Sequence, residues 1–499
     1  MLDRRSALKL TGAAAFTAQT SLATSAFAET TAHTALPGDR PTLISSTQTR
    51  RWARQSDPVL APADGDIFAL HFAVEVDKPK QTMAGFGGAF SARGWTALGV
   101  LDEAERGRAL DALFGAGARL SHCRLPLGAS DFALAPYSYD EVDGDFAMEH
   151  FDLGPDRDTL IPFVKAAQAR EPGLRLWASP WTPPRWMKTN AAFEMAPGWP
   201  GRVPNAITEA TTRHEGEDAF IQKPEYLAAY ARYFGRYVDA YAREGIAISA
   251  VMPQNEWNSA QPYVSCVWTP EGLARFLPHL GREMAPRKVD VLLGTLERGN
   301  ADLVARVLAD PAAASVVKGL GVQWAGKEAL PTLHTTWPDL PIWGTEQECG
   351  LGTNDWNYAR YNWRTMLHYL RNGTSVWTYW NMALDDGGES SAGWPQNSLL
   401  AIDTKARSWR LTHDYWVLRH ASALVHPGAR YLPTSSAVGY EFQFAFRNPD
   451  GSLVVVMMND LAEAQERRIA LGSQSVRLTL PGDSFSTLVV PAALLNRKA

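Results

Sequence analysis

From Gln81 to about His420 the chain alternates short apolar segments with stretches whose apolar residues recur with a 3.6-residue period. Eight of the short segments read as candidate strands: TMAGFGGAF, ARLSHCRLPL, LRLWASPW, AISAVMPQNE, VDVLLGT, VKGLGVQW, LPIWGTE and SVWTYWN. Apolar runs of this length that end in turn residues are the pattern of fully buried strands. Helical segments lie between several of them, for example PEYLAAYARYFGRYVDAYARE, which carries Pro224 in its first turn. Strand and helix alternating eight times predict a (β/α)8 TIM barrel over residues 81–420.

Outside that span the texture changes. After about His420 the helical period stops, and YEFQFAFRN, GSLVVVMMND, VRLTL and STLVVP are separated by Asn-Pro-Asp-Gly and Pro-Gly-Asp turns. These short strands predict an accessory β-sandwich over 421–499. The N-terminal segment 29–80 contains IFALHFAVEV, an alternating strand near Ile67 expected to complete it. A chain of 499 residues accommodates one large domain and a smaller companion. From Met187 to Gln222 the chain is rich in Pro, Gly, Asn and Thr and too long for an ordinary connection, so it reads as a long loop over the barrel mouth or as a disordered stretch. The first 28 residues, with Arg4 and Arg5, an apolar stretch from Ala7 to Phe16 and Ala26-Phe27-Ala28, read as a twin-arginine export signal, which implies a periplasmic or secreted protein.

In a parallel barrel the chemistry sits where the strands end. The second strand ends in Arg124, with Asp131 shortly after; the third leads to Trp181, the fourth to Asn255 and Glu256, and the sixth to Gln323 and Trp324. Glu346 ends the seventh, and Trp380 and Asn381 the eighth. Glu256 and Glu346 are about three strand-helix repeats apart. Two carboxyl groups at one end of a barrel are what cleavage of a glycosidic bond requires, one to protonate the leaving oxygen and one to attack or to activate water. The 18 Trp and 15 Tyr supply flat faces that suit sugar rings. A carbohydrate is therefore the expected partner. A net charge of −5 offers no basic field for nucleic acid, and no apolar run reaches the length of a membrane span. No GxSxG, HExxH, Walker or EF-hand pattern occurs, and GFGGAF lacks the last glycine of the dinucleotide fingerprint. No cofactor and no metal are indicated. Cys123, Cys266 and Cys349 form no CxxC and, being three, no complete disulfide framework.

Taken together in order, GFGGAF, RLPLGASDF, ASPWTPPRWMKTN, MPQNEWN, TEQECG, WTYWNMAL and GWPQNSLLAID span nearly the whole chain after the first 28 residues. This set resembles glycoside hydrolase family 30, the family of the lysosomal glucosylceramidases. The resemblance implies a retaining β-glycosidase, with a barrel and a side sandwich built from both termini. Glu256 would be its acid/base and Glu346, the first Glu of TEQEC, its nucleophile. Asp131, Trp181, Asn255, Trp380 and Asn397 would line the sugar site. Where the glucosylceramidases carry His-Trp-Tyr at the sixth strand, this chain has Gln323-Trp324-Ala325, a departure that points away from a lipid glycoside. A β-xylosidase, a β-1,6-glucanase and a glucosylceramidase stay open within the enzyme reading. A non-catalytic carbohydrate-binding protein on the same fold is the alternative outside it.

Overall fold

The computed structural model describes residues 39–63 and 70–495. The export signal read over the first 28 residues and the strand position at Ile67 lie outside them. All eight candidate strands are present and close into one parallel barrel in chain order. They are β1 (Gly85–Ala89), β2 (His122–Pro126), β3 (Arg175–Ser179), β4 (Ala250–Val251), β5 (Asp290–Leu296), β6 (Val317–Gln323), β7 (Ile342–Glu346) and β8 (Thr374–Asn381). Burial on both faces explains their near-continuous apolar sequences; every residue of β8 is buried. The glycines of β1 answer to crowding, since a Cβ on Gly87 would come 1.7 Å from the His122 carbonyl oxygen. Inside the barrel Trp177, Ala250, Met252, Leu292, Trp343 and Val376 form one packed cluster. The bore is a core and not a channel. His122 packs edge-on against Trp343 at 4.8 Å, and burial drops its pKa to about 3, so it stays neutral.

β4 is much shorter than AISAVMPQNE suggested. Pro253 has no N–H to give the ladder, so regular pairing stops at Val251. The chain still follows β3, through the Met252 N–H to Ala178 O (2.9 Å) and the Asn255 N–H to Pro180 O (2.7 Å). Glu256 consequently sits in a loop with φ +46°, not on the strand's last residue.

The helix predicted from Pro224 runs Pro224–Arg243 and buries Tyr230, Phe234, Tyr237 and Tyr241 along one stripe. The segment read as loop or disorder after Met187 is an ordered loop. Lys188 is buried, and its ammonium donates to Thr182 Oγ1 (2.8 Å), Phe193 O (2.7 Å) and Ser265 O (2.8 Å). Asn190 Nδ2 and Asn205 Nδ2 hold further carbonyls of the same loop, and Asn205 also reaches Pro262 O. Side chains thus satisfy the backbone groups that no helix or sheet engages.

The sandwich has a six-stranded and a five-stranded sheet. Leu453–Asn459 lies near the middle of the larger one and is apolar on both faces. Val455 and Met457 join the core between the sheets, while Val454, Val456 and Met458 join the large core shared with the barrel. Period-two alternation delivers both sets. The N-terminal segment feeds both sheets: Thr42–Thr47 pairs antiparallel with Ser484–Val490, and Phe72–Val74 pairs parallel with Gln465–Leu471.

Candidate active site

Arg124, fully buried at the end of β2, organises the mouth of the barrel. Its Nη1 donates to Glu346 Oε2 at 2.7 Å and to Thr345 O at 3.3 Å. Its Nη2 donates to Asn255 Oδ1 at 2.6 Å and to Ser179 Oγ at 2.9 Å. The guanidinium lies over Trp181 (4.3 Å), Trp177 (5.0 Å) and Trp380 (5.5 Å). Trp181 and Trp380 stack on one another at 5.3 Å. The two tryptophans taken from strand ends are thus one aromatic wall behind the cation.

Gln323, last residue of β6, bridges the two glutamates. Its Nε2 lies 3.2 Å from Glu256 Oε1, 3.3 Å from Glu346 Oε2 and 3.2 Å from Asn255 Oδ1. Its Oε1 accepts from Thr345 Oγ1 at 3.0 Å. The remaining oxygens have separate donors: Trp324 Nε1 reaches Glu346 Oε1 at 2.7 Å, and the Tyr263 hydroxyl reaches Glu256 Oε2 at 2.8 Å. Glu256 and Trp324 both hold positive φ, +46° and +49°, a strain of about 1–3 kcal/mol each that the surrounding contacts must offset.

Burial lifts both carboxyl groups above their usual range, Glu346 to about 7, while the Arg124 charge pulls Glu346 back down and the Glu256 charge pushes it up. Two carboxyls sharing one amide lose their protons in two separated steps. The donors decide where the first negative charge rests. Glu346 faces a guanidinium and an indole N–H, whereas Glu256 faces a neutral phenol and a neutral amide. The singly ionised pair is therefore Glu346 carboxylate with Glu256 protonated.

Asp131 is buried beside the pair, and desolvation together with the Glu346 and Glu256 charges raises its pKa well above the usual carboxylate range. Beyond its own backbone N–H, its carboxyl has no hydrogen-bond partner among the described residues, so it is available to a ligand. Asn255 Oδ1 is saturated by Arg124, Gln323 and Thr295 Oγ1. That fixes the amide's orientation and leaves Nδ2 for a substrate.

Asn397 is the predicted site residue that the structure does not bring to the pair. Its Oδ1 accepts from the Asn354 N–H (3.1 Å) and its Nδ2 donates to Asp414 Oδ2 (3.4 Å), so the side chain pins two loops together. Glu346 is the last residue of β7, so the strand runs one residue past Thr345, where the sequence suggested it stopped. Glu348, the other carboxylate of TEQEC, is engaged by Lys327 Nζ at 2.5 Å and by the Tyr361 hydroxyl.

Two contributors were not foreseen. Thr295 on β5 accepts from the Glu256 N–H at 2.8 Å; a tip residue on the fifth strand was the available signal. Tyr263 sits in the loop after β4, where no periodicity marks it. A cavity of about 300 Å³ lies next to this loop, lined among others by Trp257, Asn258, Trp268 and Arg298. Neither glutamate lines it, so it is not the place where the two carboxyls meet. Among the described residues no group of His, Cys, Asp and Glu side chains is arranged to hold a metal ion.

Comparison with known proteins agrees with this architecture. Residues 83–423 match the glycosyl hydrolase family 30 TIM-barrel domain, and residues 442–488 match that family's β-sandwich domain. The chain is 29% identical over 472 residues to putative glucosylceramidase 1 of Caenorhabditis elegans, covering 88% of this chain and 86% of that one. It is 28% identical over 443 residues to the endo-1,6-β-D-glucanase of Neurospora crassa, covering 83% and 86%. The solved structure of SrfJ from Salmonella typhimurium is similar in fold, with a TM-score of 0.79 at 24% identity over 90% of this chain and 99% of that one. An eight-stranded parallel barrel with a carboxyl pair at its mouth, a sandwich drawn from both ends of the chain and matches to both domains lead to one assignment: this chain belongs to glycosyl hydrolase family 30 and is a glycoside hydrolase.

Proposed function

We propose that the enzyme hydrolyses β-glycosidic bonds by double displacement with retention of configuration. The observation that carries this reading is the Gln323 amide nitrogen lying within 3.3 Å of one oxygen from each glutamate. Those oxygens are no farther apart than the two hydrogen bonds laid end to end, at or below the lower edge of the roughly 6.5–9.5 Å separation of inverting enzymes. That leaves no room for a water between carboxylate and sugar, and the carboxylate must attack directly.

Glu346, ionised beside Arg124 and Trp324, attacks the anomeric carbon while protonated Glu256 gives its proton to the leaving oxygen. Once Glu346 is an ester its charge is gone, and the repulsion that helped to keep Glu256 protonated goes with it. Glu256, having lost its proton, is now the base for the incoming water, and Tyr263 and Gln323 hold its two oxygens through both steps. Asn255 Nδ2 and the Asp131 carboxyl are placed to bond sugar hydroxyls. Gln323 stays uncharged across the pH range and orients both carboxyls. With Ala325 exposed beside Trp324, the mouth suits a soluble β-glycoside, and glucosylceramide is expected to be the poorer substrate. The names of the relatives, a glucosylceramidase and an endo-1,6-glucanase, are compatible with a β-glucoside.

Proton NMR of the first-formed product from an aryl β-glucoside tests this. The β-anomer should appear first and then mutarotate. Initial release of the α-anomer would refute the double displacement, and absence of turnover on any β-glycoside would favour a protein that binds carbohydrate without cleaving it.

A further inference from the structure

Four aromatic rings run in sequence along one side of the mouth. Ring centroids are 6.2 Å apart between Tyr263 and Trp199, 6.1 Å between Trp199 and Trp394, and 5.4 Å between Trp394 and Trp324. Both ends of the run touch the chemistry, Tyr263 through its hydroxyl on Glu256 and Trp324 through its indole on Glu346. All four rings are half-buried, whereas Trp177, Trp181 and Trp380 are enclosed in the core. Neighbouring planes cross at 70°, 84° and 46°, so no pair is stacked and ring faces remain for a guest.

The run is braced. Arg202, in the turn that starts at Trp199, donates from Nη1 to Gly393 O at 2.9 Å, next to Trp394. Asn205 Nδ2 donates to Pro262 O at 2.8 Å, next to Tyr263. Three separate connections are thereby tied into one surface, and the otherwise irregular 188–222 segment supplies its middle ring.

The acid side of the site is the side from which the leaving group departs, and Tyr263 marks it. Trp199 is the next ring outward from there. Indole faces edged by N–H groups match a pyranose, whose C–H face stacks on the ring and whose hydroxyls meet the donors. We infer that Trp199, with Trp394 beside it, is the platform for the departing sugar, and that the substrate is a β-linked oligosaccharide and not the glycoside of a simple alcohol. The inference rests on the double-displacement reading of Glu256 and Glu346.

The test compares the full-length enzyme with Trp199→Ala and Trp199→Phe on a β-linked glucose disaccharide, on octyl β-glucoside and on β-glucosyl fluoride, whose leaving group has no ring. Trp199→Ala should lower the ratio of kcat/KM on disaccharide to that on fluoride by about tenfold, chiefly through KM. Trp199→Phe, which keeps an aromatic face, should stay within about threefold of the parent ratio. An unchanged ratio in Trp199→Ala, or equal losses on both substrates, would overturn the inference alone. Preference of the parent for octyl glucoside, lost in Trp199→Ala, would assign the platform to an alkyl chain and overturn the sugar assignment. Failure of the underlying reading shows separately, as an inverted product or as no turnover of the fluoride.

Discussion

Replacing Gln323 with Ala is the perturbation whose consequences the structure specifies most fully. The amide supplies one nitrogen to Glu256, Glu346 and Asn255 and takes a proton from Thr345. Two N–H groups serve three acceptors, so the loss amounts to roughly one hydrogen bond to a charged partner. That is worth about 1.5–3 kcal/mol, and kcat/KM should fall by about 10- to 100-fold. The fold should survive. Thr345 Oγ1 retains Val322 O at 3.0 Å, and Arg124 keeps Ser179, Asn255 and Glu346. The sign of the pH effect follows from the same contacts. The Gln323 bond favours the ionised form of Glu256 and so lowers its pKa; without it the pKa rises. The alkaline limb of kcat/KM, where the acid's proton is lost, should move to higher pH. Steady-state kinetics on an aryl β-glucoside over a pH series, with thermal unfolding as a folding control, measures both. Kinetics within twofold of the parent would remove Gln323 from the site. A loss of rate with an unmoved alkaline limb would assign it a packing role only.

Other outcomes follow from the same geometry. Tyr263→Phe removes the hydroxyl on Glu256 Oε2 that also favours the ionised form, so its alkaline limb should likewise move up in pH, with about a tenfold loss of kcat/KM near neutrality; a downward move would contradict the contact. In Glu256→Ala, substrates with good leaving groups should still form the glycosyl-enzyme, because they need little protonation, and a stopped-flow burst with 2,4-dinitrophenyl β-glucoside reads this out; loss of the burst would reverse the roles of the two glutamates. Replacing Arg4 and Arg5 with Lys should leave an unprocessed precursor in the bacterial cytoplasm, and normal processing of that variant would point to the general secretion route.

The barrel was legible because a strand covered on both faces must be apolar throughout, and TSVWTYWN or VKGLGVQ has few other ways to be satisfied. The strand ends were legible for a related reason, since a polar side chain directly after such a run has only the mouth to occupy. Arg124, Gln323 and Glu346 each follow that logic. It failed where the backbone departs from the strand. At β4 the proline ends regular pairing early, and Glu256 is aimed by a loop in the left-handed region that no alternation rule anticipates. Tyr263 and Trp199 escaped because their positions depend on side-chain bonds from Asn205, Arg202 and Lys188 across the 188–222 segment, and such bonds leave no period in the sequence. Asn397 was assigned to the sugar site through the family resemblance, yet its amide is spent on Asn354 and Asp414. The sandwich shows the same division: LVVVMM declares two buried faces, whereas TLISST of the first strand carries too many hydroxyls to stand out.

The central claim is that Glu346 forms a covalent bond to the sugar. A 2-deoxy-2-fluoro β-glucosyl fluoride slows both steps and the second more, so the glycosyl-enzyme accumulates. Intact-mass analysis followed by peptide mapping should find one fluoroglucosyl group, on Glu346, with activity returning as the adduct turns over. A label on Glu348, held aside by Lys327 and Tyr361, or turnover with inversion and no adduct at all, would contradict the account.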